Sequence, residues 1–214
     1  MKEVILMGKG TLAIKIAKWF NENPNYNLKL IVPVIPEPVW TDSLIEWSKQ
    51  NNIEYMKSGN YQDILEVNND NWEIDLVFSV FYDKIIKDFF IKKCNKILNL
   101  HNALLPKYRG VNPINWALKN NEPIHGITIH EISPGIDDGR IISQISYSIY
   151  PDFDEVQDVY NRALTYGWTL FEQTMPILDK IIPKIQDESQ STYYSLNDST
   201  KLGNRTNFTK GKSK

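Results

Sequence analysis

The sequence predicts an α/β fold in which a mostly parallel, twisted sheet is flanked by helices. Three observations carry this. Short apolar runs of strand length recur at Val4 to Met7, Leu28 to Val32, Leu76 to Val80 and Ile97 to Leu100. Segments with helical spacing of apolar residues lie between several of them. A glycine turn, Gly8-Lys9-Gly10, follows the first run, as at the opening of a βαβ unit.

Each element follows from its local pattern. Ala13, Ile16, Ala17 and Phe20 repeat at helical spacing, so Leu12 to Phe20 is expected to be a helix. The second strand leads into a loop punctuated by Pro33, Pro36 and Pro38, then a helix from about Ser43 to Gln50 and a short edge strand at Ile53 to Tyr55. After Leu76 to Val80 a helix is expected from Lys84 to Lys92, before the strand that starts at Ile97. Past a loop with Pro106, Gly110 and Pro113, Ile114 to Asn120 reads as a short helix. Gly126 to Ile132 and Arg140 to Tyr150 then read as strands. A long helix from about Asp154 to Ile182 closes the core, with Val156, Val159, Tyr160, Ala163, Leu164 and Leu170 as its apolar stripe. The alternation is Rossmann-like, and no internal repeat is present.

A chain of 214 residues, 42% of them hydrophobic, buries one substantial core but not two full-sized domains. One catalytic domain is therefore expected over residues 1–183, with a polar C-terminal extension over 184–214. Residues 201–214 carry Lys201, Arg205, Lys210, Lys212 and Lys214 without an acid, and a mobile or weakly docked tail is preferred to a phosphate-binding or dimer-forming arm. The 24 Lys and Arg nearly balance the 26 Asp and Glu, so no broad basic surface is available to hold a long nucleic acid. A single cysteine, Cys94, rules out an internal disulfide framework and reads as a small buried hydrophobe. No stretch reaches membrane-spanning length and none resembles a signal-peptide core, so a cytoplasmic protein without a membrane partner is expected.

In an open parallel sheet, ligands bind beyond the carboxyl ends of the strands. Asn99, His101, Ser79 and the Gly8 to Gly10 turn stand at such positions. Asn99 and His101, two residues apart, share one side of a continuing strand. Gly135-Ile-Asp-Asp-Gly139 joins two strand-like segments, and its glycines permit a turn that brings a carboxylate back toward the strand ends. From these residues alone, a structural histidine and a turn-forming aspartate remain an open alternative. A metal site is disfavoured, because His125 and His130 are an odd number of residues apart and face opposite ways on one regular strand. Gly8-Lys9-Gly10 fits the dinucleotide pattern only in part, since Ala13 replaces the third glycine; a turn whose amides serve an anionic ligand is the smaller claim. Tyr193 and Tyr194 are candidates to stack on a base, with apolar packing as the default.

The stretch Asn99-Leu-His-Asn-Ala-Leu-Leu-Pro-Lys-Tyr-Arg-Gly110, followed by Asn112-Pro-Ile-Asn-Trp-Ala-Leu118, strongly resembles the folate-dependent formyltransferase family. Gly126-Ile-Thr-Ile-His130 and Gly135-Ile-Asp-Asp-Gly-Arg-Ile-Ile142 extend the resemblance. It implies Asn99, His101 and Asp137 as catalytic residues and 10-formyltetrahydrofolate as co-substrate, with no metal. Phe81, Tyr82, Ile86, Ile132 and Asp138 are then folate-pocket candidates, and Gly8, Lys9, Gly10 and Arg109 are acceptor-binding candidates. Methionyl-tRNA formyltransferases share the Arg-Gly and Pro-x-x-Trp pattern but continue into a further barrel domain. The pattern is most similar to that of sugar-nucleotide N-formyltransferases of bacterial surface-polysaccharide pathways, which act on nucleoside-diphosphate-linked amino sugars and are commonly homodimers. Formylation of glycinamide ribonucleotide and silent folate or nucleotide binding are the alternatives.

Overall fold

The computed structural model describes residues 1–67 and 74–205. The chain divides into two compact units: Met1–Leu100 with Glu131–Pro134, and His101–His130 with Gly135–Lys214.

The first unit contains β1 (Lys2–Gly8), α1 (Gly10–Glu22), β2 (Tyr26–Pro33), α2 (Leu44–Gln50), α3 (Asp63–Val67), β3 (Leu76–Val80), α4 (Asp88–Ile91) and nearly all of β4 (Ile97–His101). β2, β1, β3 and β4 are hydrogen-bonded in that order, all parallel. Their residues are continuous apolar runs because both faces are covered. Val4 to Met7 on β1 and Leu76 to Val80 on β3 are buried throughout. α1 turns Leu12, Ala13, Ile16, Ala17 and Phe20 inward, the stripe its spacing predicts. Ser43 caps α2, its hydroxyl accepting from the Glu46 N–H. The edge strand expected at Ile53 to Tyr55 is reduced to a single bridge between Tyr55 and Ile31.

The helix expected from Lys84 to Lys92 is confined to Asp88–Ile91. Phe81 adopts a left-handed backbone, φ 57°. The Tyr61 hydroxyl donates to the Ile85 carbonyl at 3.1 Å and accepts from the Lys87 N–H at 3.0 Å. A distant side chain thus takes backbone groups that a helix would otherwise pair with each other.

The second unit contains β5 (Arg109–Gly110), α5 (Pro113–Lys119), most of β6 (Ile124–Glu131), β7 (Ile141–Ser148), α6 (Val156–Thr174), several 3-10 segments and β8 (Tyr193–Tyr194). β6 and β7 are antiparallel, with one register shift between Ile129 and His130. The four parallel strands of the first unit, with helices in the chain between them, are the mostly parallel α/β arrangement expected, and the second unit adds the antiparallel β6–β7 pair. α6 begins with a Glu155/Asp158 capping box. It stops at Thr174 rather than Ile182: Pro176 has no N–H to continue the ladder, so Met175–Lys180 winds as a 3-10 helix.

The polar extension makes ordered contacts within the second unit. Ile141 and Lys184 exchange backbone hydrogen bonds at 2.7 and 2.8 Å, and β8 runs parallel to β5. Leu202 is 2% exposed, a buried apolar anchor within the extension. Lys210, Lys212 and Lys214 lie outside the described residues. Among the described residues no helix is long and apolar enough to cross a membrane.

Candidate active site

His101 ends β4 and is buried. Its Nε2 lies 2.8 Å from the carbonyl oxygen of Tyr108. A carbonyl only accepts, so Nε2 carries the proton and a neutral ring leaves Nδ1 as the lone-pair nitrogen. Tyr108 aims that carbonyl from a left-handed conformation, φ 61°.

Asp137 returns to this imidazole from the turn after β6. The residue that takes the left-handed conformation is Asp137 itself, φ 52°, rather than either flanking glycine. Its Oδ2 stands 3.5 Å from Nδ1 of His101 and accepts from the Gly110 N–H at 2.9 Å. Its Oδ1 stands 3.5 Å from Nε2 of His130. The two imidazoles are edge to face, their centroids 6.1 Å apart.

Opposing forces set the charges. Burial pushes the Asp137 carboxyl up, but His101, His130 and the Gly110 N–H together outweigh it and hold Asp137 well below the usual carboxylate range. Burial pushes His101 down; the Asp137 carboxylate opposes that shift and His130 adds to it. The result is a neutral imidazole whose Nδ1 faces a carboxylate, an arrangement that stabilises an arriving proton. His125 of β6 has its own partners: its Nε2 donates to the Asn102 carbonyl at 2.9 Å, among the rings of Tyr108 and Tyr147.

His130 is absent from the sequence-derived site, where it entered only as a metal ligand. The signal that points to it is its place at the end of a strand leading into the Asp137 turn. Among the described residues, no group of three or more His, Cys, Asp or Glu is placed to hold a metal ion.

The other candidates fall in different settings. Asn99 is half-buried on β4, paired in register with Ser79 of β3. Asp138 is exposed beside Asp137, its carboxylate folded over Gly135. Phe81 directly follows β3. The Tyr82 hydroxyl donates to the Gly59 carbonyl at 2.7 Å, and its ring, like Ile132, is only partly buried against the core. Ile86 sits inside that core at 5% exposure.

At the glycine turn, two amides are used within the protein: Lys9 N–H donates to the Val80 carbonyl at 3.2 Å and Thr11 N–H to the Thr41 hydroxyl at 3.2 Å. A Cβ on Gly8 would stand 2.1 Å from the Val80 oxygen, so this glycine lets β1 and β3 approach. Arg109 is likewise engaged internally. Its guanidinium is 9% exposed, grips Glu188 at 2.6 and 2.9 Å and bonds Gln186 at 2.7 and 3.1 Å. Tyr194 stacks on Trp116 and Tyr108, the packing default of the sequence reading.

Fold and cluster together define the class: a parallel-sheet α/β protein with a buried imidazole and carboxylate paired after a strand end. A family model described as formyl transferase matches residues 33–175, more than half of the chain. The chain belongs to the formyl transferase family. It is 37% identical over 108 residues to the bifunctional polymyxin resistance protein ArnA of Wigglesworthia glossinidia brevipalpis, covering 50% of this chain and 16% of that protein. The match thus spans a small part of that relative's length. An N-formyltransferase from Helicobacter canadensis, solved in complex with folinic acid and dTDP-3-aminofucose, superposes with TM-score 0.79 at 26% identity, covering 92% of this chain and 72% of its own. WlaRD, a sugar 3N-formyl transferase solved with dTDP and 5-N-formyl-THF, also gives TM-score 0.79, at 28% identity and 92% and 71% coverage.

Proposed function

We propose that this protein transfers a formyl group from 10-formyltetrahydrofolate to the primary amine of a nucleoside-diphosphate-linked amino sugar. The observation that carries the reading is the buried His101–Asp137 contact of 3.5 Å in a formyl transferase family member. The sugar N-formyltransferases it is similar to, solved with folates and dTDP or a dTDP sugar, support the choice of co-substrate and acceptor.

The reaction needs a neutral amine to attack the formyl carbon, an oxyanion to be stabilised, and a proton to move from the amine to the departing folate nitrogen. The C–N bond to the acceptor forms as the C–N bond to folate breaks, and the proton balance is closed within the site. Asn99, on β4 two residues before His101, supplies an amide donor for the oxyanion, a task worth about 10²- to 10³-fold in rate. His101 takes the amine proton on Nδ1, where Asp137 stabilises the imidazolium and directs the ring, and later releases it toward the leaving nitrogen.

Phe81, Tyr82, Ile132 and Asp138 are the residues we assign to the folate. Tyr82 and Ile132 keep partly uncovered apolar surface of the kind a pterin ring seeks. The Gly8 to Gly10 turn, through the Lys9 ammonium, is assigned to the acceptor's diphosphate. The same reading carries a cytoplasmic homodimer serving surface-polysaccharide synthesis; sedimentation of the purified protein tests the dimer.

The functional test offers 10-formyltetrahydrofolate with a panel of nucleotide-linked amino sugars, with glycinamide ribonucleotide and with no acceptor, and detects products by mass spectrometry. A formamide on an amino-sugar nucleotide is expected. Formylation of glycinamide ribonucleotide alone, or folate release without acceptor, overturns the reading.

A further inference from the structure

Gln186 is 5% exposed, a buried polar side chain from the polar extension. Its Oε1 accepts from Nε and Nη2 of Arg109 at 3.1 and 2.7 Å. Its Nε2 donates to the backbone carbonyls of Asp137 and Gly139 at 2.8 and 2.7 Å. Only one orientation of the amide satisfies all of these partners, because guanidinium groups only donate and carbonyls only accept.

The two sides that Gln186 joins are the two backbones that hold the imidazole–carboxylate pair. The Tyr108–Gly110 segment supplies the carbonyl on His101 Nε2 and the N–H on Asp137 Oδ2. The Asp137–Gly139 segment carries the carboxylate itself, in a left-handed conformation that a non-glycine residue keeps only when its surroundings hold it. The same extension ties down the first segment through Thr192, whose hydroxyl accepts from the Tyr108 N–H at 2.7 Å and whose carbonyl accepts from the Arg109 N–H at 2.9 Å.

We propose that Gln186 is a positioning residue for the His101–Asp137 pair, its amide setting the distance from carboxylate to imidazole by bridging Arg109 to the Asp137 turn. The inference rests on the function proposed above only for its kinetic consequence. The geometric claim stands on these hydrogen bonds alone.

The groups acting on His101 are the Asp137 carboxylate from the turn, the His130 ring from β6 and the Tyr108 carbonyl from the loop before β5; His125 of β6 is coupled to it through charge. Loss of the bridge lets the carboxylate withdraw, so His101 binds a proton less readily and titrates at lower pH. His125, whose Nε2 donates to the Asn102 carbonyl, reports through its resonance that the fold is retained.

The test compares wild-type protein with Gln186→Met, which preserves length without hydrogen bonds, Gln186→Glu, which retains the Arg109 contact but sets a carboxylate against two carbonyls, and Gln190→Ala on the exposed face of the same extension. Histidine-labelled protein is titrated by NMR without any substrate, the three imidazoles being assigned by single His substitutions. The His101 midpoint is expected to fall in both Gln186 variants, toward that of an Asp137→Asn protein titrated alongside, while the Gln190→Ala protein matches wild type. In formyl transfer, kcat is expected to drop by about 10²-fold, the cost of roughly 1 Å of misplacement, with little change in KM. An unchanged His101 midpoint in both Gln186 variants overturns the positioning role. If wild type itself transfers no formyl group, the proposed function falls while the titration still decides this inference. A Met variant that does not fold, judged by its His125 signal, leaves the decision to Gln186→Glu.

Discussion

The carbonyl oxygen of Tyr108 accepts a hydrogen bond from Nε2 of His101 at 2.8 Å, and this contact dictates which nitrogen of the buried ring can receive a new proton. With Nε2 already protonated, Nδ1 is the basic site, and it faces Asp137 across 3.5 Å. The pair therefore acts as one proton acceptor.

Replacement of Asp137 by Asn keeps the shape and removes the charge. Turnover is expected to fall by about 10²- to 10⁴-fold, the range for a lost acid–base contribution, with substrate affinity little altered. Steady-state kinetics of formyl transfer check this; a variant with wild-type kcat removes Asp137 from the chemistry.

His130 presses the His101 proton affinity downward through charge. In His130→Asn that influence is gone, so His101 becomes protonated at higher pH. A base must be neutral to act, so the acid limb of the kcat profile is expected to move to higher pH. A limb that stays in place or moves the other way separates His130 from the pair.

Acid stability has a distinct origin. Burial drives His125 down to about 4, against an ordinary value near 6.5, with the Asn102 carbonyl opposing the shift and His101 adding to it. Its folded-state affinity for protons is depressed, so its contribution to stability is full above the unfolded value near pH 6.5. It is lost progressively as pH falls toward 4, to a total of roughly 3 kcal/mol. His125→Gln retains a donor for Asn102 but does not titrate. Chemical denaturation at a series of pH values is expected to show a shallower loss between pH 6.5 and 4 in this variant.

Gly110 lies at φ 90°, and a Cβ there would stand 2.2 Å from the Tyr194 carbonyl oxygen. Gly110→Ala must strain the backbone and part β5 from β8, at a cost of more than about 1 kcal/mol. It also disturbs the N–H that Asp137 accepts. Thermal unfolding is expected at lower temperature together with reduced turnover; an unchanged melting temperature contradicts the close contact.

The strands were legible because each is an apolar run of the right length with polar or glycine punctuation, and the Asn99/His101 spacing was legible because strand periodicity is short-range. What was hidden depends on distant partners. The helix predicted over Lys84 to Lys92 is cut short by Tyr61, which no local pattern reveals. The role of Arg109 is decided by Gln186 and Glu188, far along the chain in a segment whose polar composition suggested little contact. Pro176 was in plain view, and the apolar stripe running up to it drew the helix too far. The partnership of His130 with Asp137 is hidden from the sequence, since the turn that brings Asp137 to it is set by a left-handed residue rather than a glycine.

The most direct test of the central claim is single-turnover formyl transfer from labelled 10-formyltetrahydrofolate to a nucleotide-linked amino sugar by wild type, His101→Gln, Asp137→Asn and the double variant. The account predicts that the wild type forms the formamide, and that each single variant loses nearly as much rate as the double one, because the two residues hold one proton together. Losses that multiply as independent contributions, or a His101→Gln rate equal to wild type, would contradict it.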